Sequence, residues 1–338
     1  MEINIFKYLN AARTVNIIKI FTSFVISRFL EKPVVWGMPV SFSIEPTNYC
    51  NLRCPECPSG LGALTRPLGF LDIEKFKKFV DQVYRQSLYM QLYFQGEPFL
   101  HKDLLEMIRY AQSRNVYISI STNGHFISGK NIDELFNNPP DKIIFSMDGL
   151  DEKSYQAYRI GGSFAKAESA LKLLVQAKKK SNKQKPFIEL QFLVMKQNEH
   201  FAEEVIEYGE KLGVDKITLK TMQVTSYENA INFLPENKKY GRYTLTEDKF
   251  KIKNSLSNHC FLLWKTSVIT WDGKVVPCCF DKDAQFQLGN VFDKEFKYIW
   301  KSVQYQEFRK KILTGRKNVE MCTNCTSGIK PNILSTEY

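Results

Sequence analysis

The chain has 338 residues, 43% of them hydrophobic and 25% charged, with a formal net charge of +11. That balance fits a soluble globular protein with one large domain, one smaller domain and a full apolar core. The positive excess permits contact with acidic lipid, nucleic acid or phosphorylated substrates and selects none of them.

Residues 1–36 read as an amphipathic helical extension. The stretch 11–30 is apolar but carries Arg13, Lys19 and Arg28, which break the run needed to span a bilayer. No small-residue cleavage site follows, so a signal peptide is not expected. Asn16, Lys19, Ser23 and Ser27 recur at helical spacing as a narrow polar stripe, and Ile17, Ile18, Phe21, Phe24, Val25 and Phe29 form the wide face. Such a helix docks on the protein or lies in a membrane interface. The expected location is cytoplasmic, with peripheral contact at the inner membrane face through residues 11–30 as the second reading. In that compartment unpaired thiols more often mean metal ligands than disulfides.

From residue 37 to 225 strand and helix patterns alternate. Strands are expected over 40–46, 88–94, 116–121, 141–148, 186–196 and 215–220. Helices are expected over 72–87, 102–114, 128–137, from about 150 to 180, and over 199–213, the first of these helices capped by Asp72. The basic run Lys178-Lys179-Lys180, with Lys183 and Lys185, reads as a solvated loop. Six β/α repeats specify a parallel sheet that can curve into an open barrel, with chemistry at the C-terminal strand ends. Residues 226–259 read as an irregular bridge. In 260–338, a hairpin over 265–280 turns at Asp272-Gly273, one helix covers 293–313, and the pair Cys322/Cys325 follows.

Cys50, Cys54 and Cys57 follow the first strand directly. Eight cysteines scattered at random would produce that C-x3-C-x2-C spacing roughly 0.4% of the time. Thiolates suit zinc and iron–sulfur clusters. Three ligands in one loop can hold three corners of a cubane and leave its fourth iron open, whereas a closed structural site uses four.

This loop resembles the signature of the radical S-adenosylmethionine (SAM) superfamily, and further motifs follow in that family's order. Gly96-Glu97-Pro98, after the second strand, is similar to the motif that binds the SAM amino group. Ser121 and Asn123, at the end of the third strand, resemble a ribose-contacting turn. Ser146 and Arg159 match the positions that hold the SAM carboxylate, a task suited to the guanidinium fork. Val194 and Met195, on the fifth strand, would lie against the adenine. One departure is Glu56, where the family often has an aromatic or large apolar residue. The resemblance implies a partial (β/α)6 TIM-like barrel over 37–225.

Cys260, Gly273 and Cys278 are spaced like the opening of the superfamily's SPASM and twitch extensions. Cys260, Cys278, Cys322 and Cys325 together could ligate one auxiliary [4Fe–4S] cluster, and four-cysteine zinc is the rival. Cys279 is the spare, read as a buried small hydrophobe. The implied fold of 260–338 is a small α+β auxiliary domain.

The resemblance implies reductive cleavage of SAM at the [4Fe–4S] cluster on Cys50, Cys54 and Cys57. The resulting 5′-deoxyadenosyl radical would take hydrogen from a substrate. The implied partner is a one-electron reductant of the flavodoxin or ferredoxin class. A fully ligated second cluster would accept or relay an electron, which favours net oxidation, and Asp281 is a candidate base. The expected substrate is a small molecule, with a peptide or a lipid-linked compound as alternatives. An iron–sulfur electron-transfer protein is the non-enzyme alternative. No RNA-binding module is visible, so nucleic acid is not favoured.

Overall fold

A computed structural model of the protein describes residues 5–253 and 256–326 in full and 335–337 as backbone. Its framework is the expected alternation. Six strands, β1 (Ser41–Ile44), β2 (Tyr89–Gln91), β3 (Tyr117–Thr122), β4 (Lys142–Ser146), β5 (Phe187–Val194) and β6 (Lys216–Thr221), pair in sequence order and in parallel. The helices between them cover the outer face and bury residues such as Phe76, Val80, Met107, Leu171 and Val205. The architecture is a partial TIM-like barrel.

The region 226–259 is more ordered than expected. It contains the helix Tyr227–Phe233, capped by Ser226, and a small hairpin of β7 (Tyr243–Leu245) and β8 (Phe250–Ile252). The hairpin after Cys260 forms as expected, from β9 (Thr266–Ile269) and β10 (Lys274–Val276), and β11 (Gly289–Asn290) adds to it. The turn places Gly273 at φ +83°, a conformation that glycine adopts without strain.

β9 also pairs in parallel with β1, Ser41 opposite Thr266 through Ile44 opposite Ile269. The C-terminal hairpin therefore continues the barrel sheet. A last strand, β12 (Ser335–Glu337), runs antiparallel to β6 at the other edge. The core is continuous across the join: Phe42 meets Phe79 and Phe296 edge-on at 5.3 and 5.0 Å. The indole N–H groups of Trp264 and Trp300 donate to the Val34 and Gly37 carbonyls.

The single helix expected over 293–313 is two, Phe296–Trp300 and Val303–Gly315. Ser302 separates them, in extended backbone, and its hydroxyl accepts the Tyr305 N–H as an N-cap. The break turns Trp300 and Tyr305 about the Arg309 guanidinium, which lies 4.0 and 3.9 Å from their ring centres.

The basic run is not a solvated loop. Lys178, Lys179 and Lys180 form the last turn of helix Phe164–Ser181. Lys178 pairs with Asp215 at 2.6 Å, Lys183 donates to the Phe136 carbonyl, and Lys185 pairs with Asp141.

The N-terminal helix α1 (Ala11–Leu30) forms with the boundaries of its apolar stretch and docks on the protein, with Asn16, Ser23 and Ser27 of its polar stripe turned inward, Lys19 left outside, and Phe24 of its apolar face buried. Arg13, Asn16, Ile20, Ser23, Phe24 and Ser27 are buried. Arg13 donates to the carbonyls of Tyr8, Asn115 and Tyr84, and Asn16 bonds both the N–H and the carbonyl of Met38. Ser27 accepts the Val34 N–H. Tyr84 and Asn115 lie just before β2 and β3, so α1 closes the N-terminal end of the barrel. Among the described residues no helix is long and apolar enough to cross a membrane. Arg13→Ala would remove three hydrogen bonds and leave the buried Tyr8 carbonyl without its guanidinium donor, and we expect it to destabilise the fold by about 3 kcal/mol, read as a lower urea midpoint.

Candidate metal and cofactor site

The loop carrying Cys50, Cys54 and Cys57 leaves the C-terminal end of β1 and is held from several sides. The Glu97 N–H donates to the Tyr49 carbonyl at 2.8 Å. The Asn123 amide donates to the Asn51 side chain at 2.9 Å. The Arg53 N–H donates to the Ile160 carbonyl at 2.8 Å. The Glu56 carboxylate accepts from the hydroxyl and N–H of Thr225 at 2.8 and 3.2 Å. These contacts tie the loop to the segments that follow β2, β3, β4 and β6.

Cys54 is buried, and Cys50 and Cys57 are half-buried. Burial pushes the Cys50 thiol up to about 11 and the Cys54 thiol up to about 12. Such thiols bind as thiolates only when a metal's positive charge offsets the desolvation. Among the described residues, no three His, Cys, Asp or Glu side chains converge on one metal-ion position. Thiols around a cubane each bind a different iron and need no common point.

The motif residues gather round this loop. At Gly96 φ is +75°, and a Cβ there would lie 2.5 Å from the Thr47 carbonyl oxygen, so only glycine fits. The Glu97 carboxylate is buried and its pKa is raised by desolvation, against the pull of its hydrogen bonds. It accepts from the Thr122 hydroxyl and the N–H groups of Asn123 and Phe99. Glu97 thus braces the turn after β3. Pro98 opens a short 3-10 turn. Ser121 is the penultimate residue of β3 and Ser146 the last of β4. Val194, at the end of β5, and Met195 are fully buried.

Arg159 is held through its Nε by Asp148 at 2.6 Å. Burial opposes its charge, but Asp148, with Cys54, Tyr155 and Tyr158, outweighs this and raises its pKa. Asp148 is in turn fixed by the Leu193 N–H at 2.8 Å. The Asp148 contact engages only Nε of the guanidinium.

The second group is also brought together. Cys260, Cys278, Cys322 and Cys325 line one small enclosed pocket with Leu263, Phe308, Ile312 and Met321. Burial raises the pKa of Cys260 and Cys322. The buried Arg316 donates to the Cys325 sulfur at 3.3 Å. Four thiols around one apolar hollow fit a fully ligated cluster.

Two expectations are corrected here. Cys279 is exposed, because the chain turns directly after Pro277 and leaves it outside the pocket that Cys278 lines. Asp281 is buried, and its two carboxylate oxygens accept the N–H groups of Gln285 and Phe286 at 2.8 and 2.9 Å. It caps a turn and presents no free base.

Sequence reading missed three supports. Asp148 was signalled by an acid eleven residues before Arg159. Glu56 was visible as an acid in an apolar place. The third is the buried pair of Glu45 and Arg66 at 2.6 Å. Arg66 also donates to the Lys282 carbonyl, and Asp283 accepts from Thr65, so the segment after the first cysteine loop is fastened to the loop after Cys278. No spacing rule signals that pair.

Comparison with known proteins agrees with this geometry. Residues 44–200 match the family described as the radical SAM superfamily, and residues 260–326 match SPASM, described as an iron–sulfur cluster-binding domain. The chain belongs to the radical SAM superfamily and carries a SPASM domain. The radical SAM domain binds SAM and a [4Fe–4S] cluster, and the SPASM domain binds auxiliary iron–sulfur clusters.

This radical SAM protein is 29% identical over 314 residues to the tungsten-containing aldehyde ferredoxin oxidoreductase cofactor-modifying protein of Pyrococcus furiosus, spanning 84% of this chain and 86% of that one. It is 25% identical over 283 residues to the antilisterial bacteriocin subtilosin biosynthesis protein AlbA of Bacillus subtilis, spanning 78% of this chain and 60% of AlbA. The SAM-bound crystal structure of Streptococcus suis SuiB superposes with a TM-score of 0.62 at 15% identity, covering 88% of this chain and 74% of SuiB. That likeness concerns the fold.

Anaerobically reconstituted protein is expected to hold about eight irons, falling to about four when Cys50, Cys54 and Cys57 are changed to Ala. Iron and sulfide quantitation checks this, and a wild-type value near four would remove the auxiliary cluster.

Proposed function

We propose that this radical SAM protein is an enzyme that oxidises a substrate lying between its two cysteine sites. One observation carries the proposal. A cleft of about 1030 Å³ is walled by Glu56, Pro58 and Leu61 of the first cysteine loop, by Tyr243, Phe250 and Ile252 of the β7–β8 hairpin, and by Phe280, Met321 and Asn324 beside the second cysteine group. A substrate there touches the surroundings of both centres at once.

When bound, the cluster and SAM supply the radical chemistry that removes a hydrogen atom. The chain's own residues supply position. Arg159, oriented by Asp148, directs its terminal nitrogens at the SAM carboxylate, with Ser146 beside it. Glu97 is occupied in bracing the turn at Asn123, which leaves the backbone of 96–98 for the amino group. Ser121 and Asn123 stand at the ribose, while Val194 and Met195, fully buried, back the adenine site from the core rather than line its surface. Cys260, Cys278, Cys322 and Cys325 would hold an auxiliary cluster, which when bound would supply an electron acceptor for the oxidation, and a ferredoxin- or flavodoxin-class protein would be the external one-electron reductant.

The substrate is a small molecule in the first reading. A peptide segment is the second reading, because the cleft lies at the upper end of the range of small-molecule pockets, roughly 300–1,000 Å³. AlbA, a relative, is named for bacteriocin biosynthesis.

With dithionite and SAM under anaerobic conditions, wild-type protein is expected to form 5′-deoxyadenosine, and Cys54→Ala none. Arg159→Ala should raise the KM for SAM by about 10- to 100-fold, the loss of a charge-assisted pair. An unchanged KM would remove Arg159 from the SAM site.

A further inference from the structure

Helix α1 buries Arg13, Asn16, Ser23 and Ser27 together with Ile20 and Phe24, and leaves a second apolar stripe on its outer side. At about 100° per residue, Val15, Ile18, Val25, Ile26 and Phe29 form one stripe on the side opposite Arg13, Ile20 and Ser27. Ile18 and Phe29 are 59% and 84% exposed. Lys19 borders one edge of the stripe and Arg28 the other, and α1 contains no acidic residue. Beyond the two ends of the helix, Phe6 and Trp36 are exposed as well, at 69% and 51%.

A helix whose only task was to close the barrel needs one apolar face, which Ile20 and Phe24 already supply, Phe24 against Phe261 and Trp264, and exposing a second is unfavourable. Hydrogen bonds from Arg13, Asn16 and Ser27 on the inward side fix which face is left outside. We propose that this outer face lies on an anionic membrane surface, with α1 in the plane of the interface and Lys19 and Arg28 at the level of the headgroups. An apolar stripe edged by cations on both sides matches such a surface. A second copy of this chain fits it less well, since a two-fold contact would bring the same cationic edges together. The contact is peripheral, because no described helix is long and apolar enough to cross a bilayer. α1 closes the N-terminal ends of the strands, so the cysteine loop, at their C-terminal ends, faces away from the lipid. Substrate then arrives from the aqueous side.

The test is flotation of the full-length, anaerobically reconstituted protein with vesicles of phosphatidylcholine alone or with added phosphatidylglycerol. Wild-type protein is expected to float with the anionic vesicles, and less so at high salt. Ile18→Ser with Phe29→Ser should weaken binding at least tenfold, and Lys19→Glu with Arg28→Glu should do the same on anionic vesicles. Iron content and SAM cleavage should equal those of wild type in both variants, since all four side chains point outward. No flotation of wild-type protein, or equal flotation of wild type and both variants, would overturn the proposal. So would a lipid-free dimer, seen by sedimentation equilibrium, that the Ile18→Ser/Phe29→Ser variant dissociates.

Discussion

The fixed position of the first cysteine loop is the constraint on which the rest of the molecule depends. Glu97, Asn123, Ile160 and Thr225 each hold it, and each lies beyond the C-terminal end of a different strand. A loop held by so many strand ends fixes where its three thiols lie. Three thiols in one loop would hold three corners of a cubane and leave the fourth iron to SAM. Glu56, which departs from the family's usual residue, gains its place here: its carboxylate fastens the loop to the end of β6 and to the wall of the cleft.

The second constraint is the join between the two cysteine sites. Parallel pairing of β1 with β9 makes the C-terminal hairpin part of the barrel sheet. Glu45 and Arg66, a buried pair, each also bond across the same junction, Glu45 accepting the Trp271 N–H and Arg66 donating to the Lys282 carbonyl. Gly69 lies against the Trp271 ring, so closely that a Cβ there would come within 2.4 Å of it. A shared sheet, a buried ion pair and an indole against glycine leave little freedom between the sites. Electron transfer between two centres needs such fixed separation, and substrate between them needs a cleft of constant shape.

Much of this was legible in the sequence. The β/α alternation follows from hydrophobic periodicity and the first cysteine cluster from its spacing, while the motifs at the strand ends were legible through their resemblance to the radical SAM superfamily. Other features were not legible. Periodicity located α1 but could not show which face turns inward, since the hydrogen bonds of Arg13 and Asn16 go to carbonyls distant in sequence. The break at Ser302 depends on one cap and on a guanidinium packed between two rings. Asp281 is an acid beside a cysteine pair in the sequence, and only the fold shows that backbone N–H groups occupy it. Asp148, Arg66 and Arg316 act through partners whose nearness is tertiary.

The central claim is that the first cluster has an iron free of protein ligands. The most direct measurement is electron paramagnetic resonance of the dithionite-reduced Cys322→Ala/Cys325→Ala variant, in which the first cluster alone remains, recorded with and without SAM. The account predicts a reduced cubane signal whose g-values shift when SAM is added. A cubane spectrum indifferent to SAM, or protein containing zinc and no iron, would contradict it.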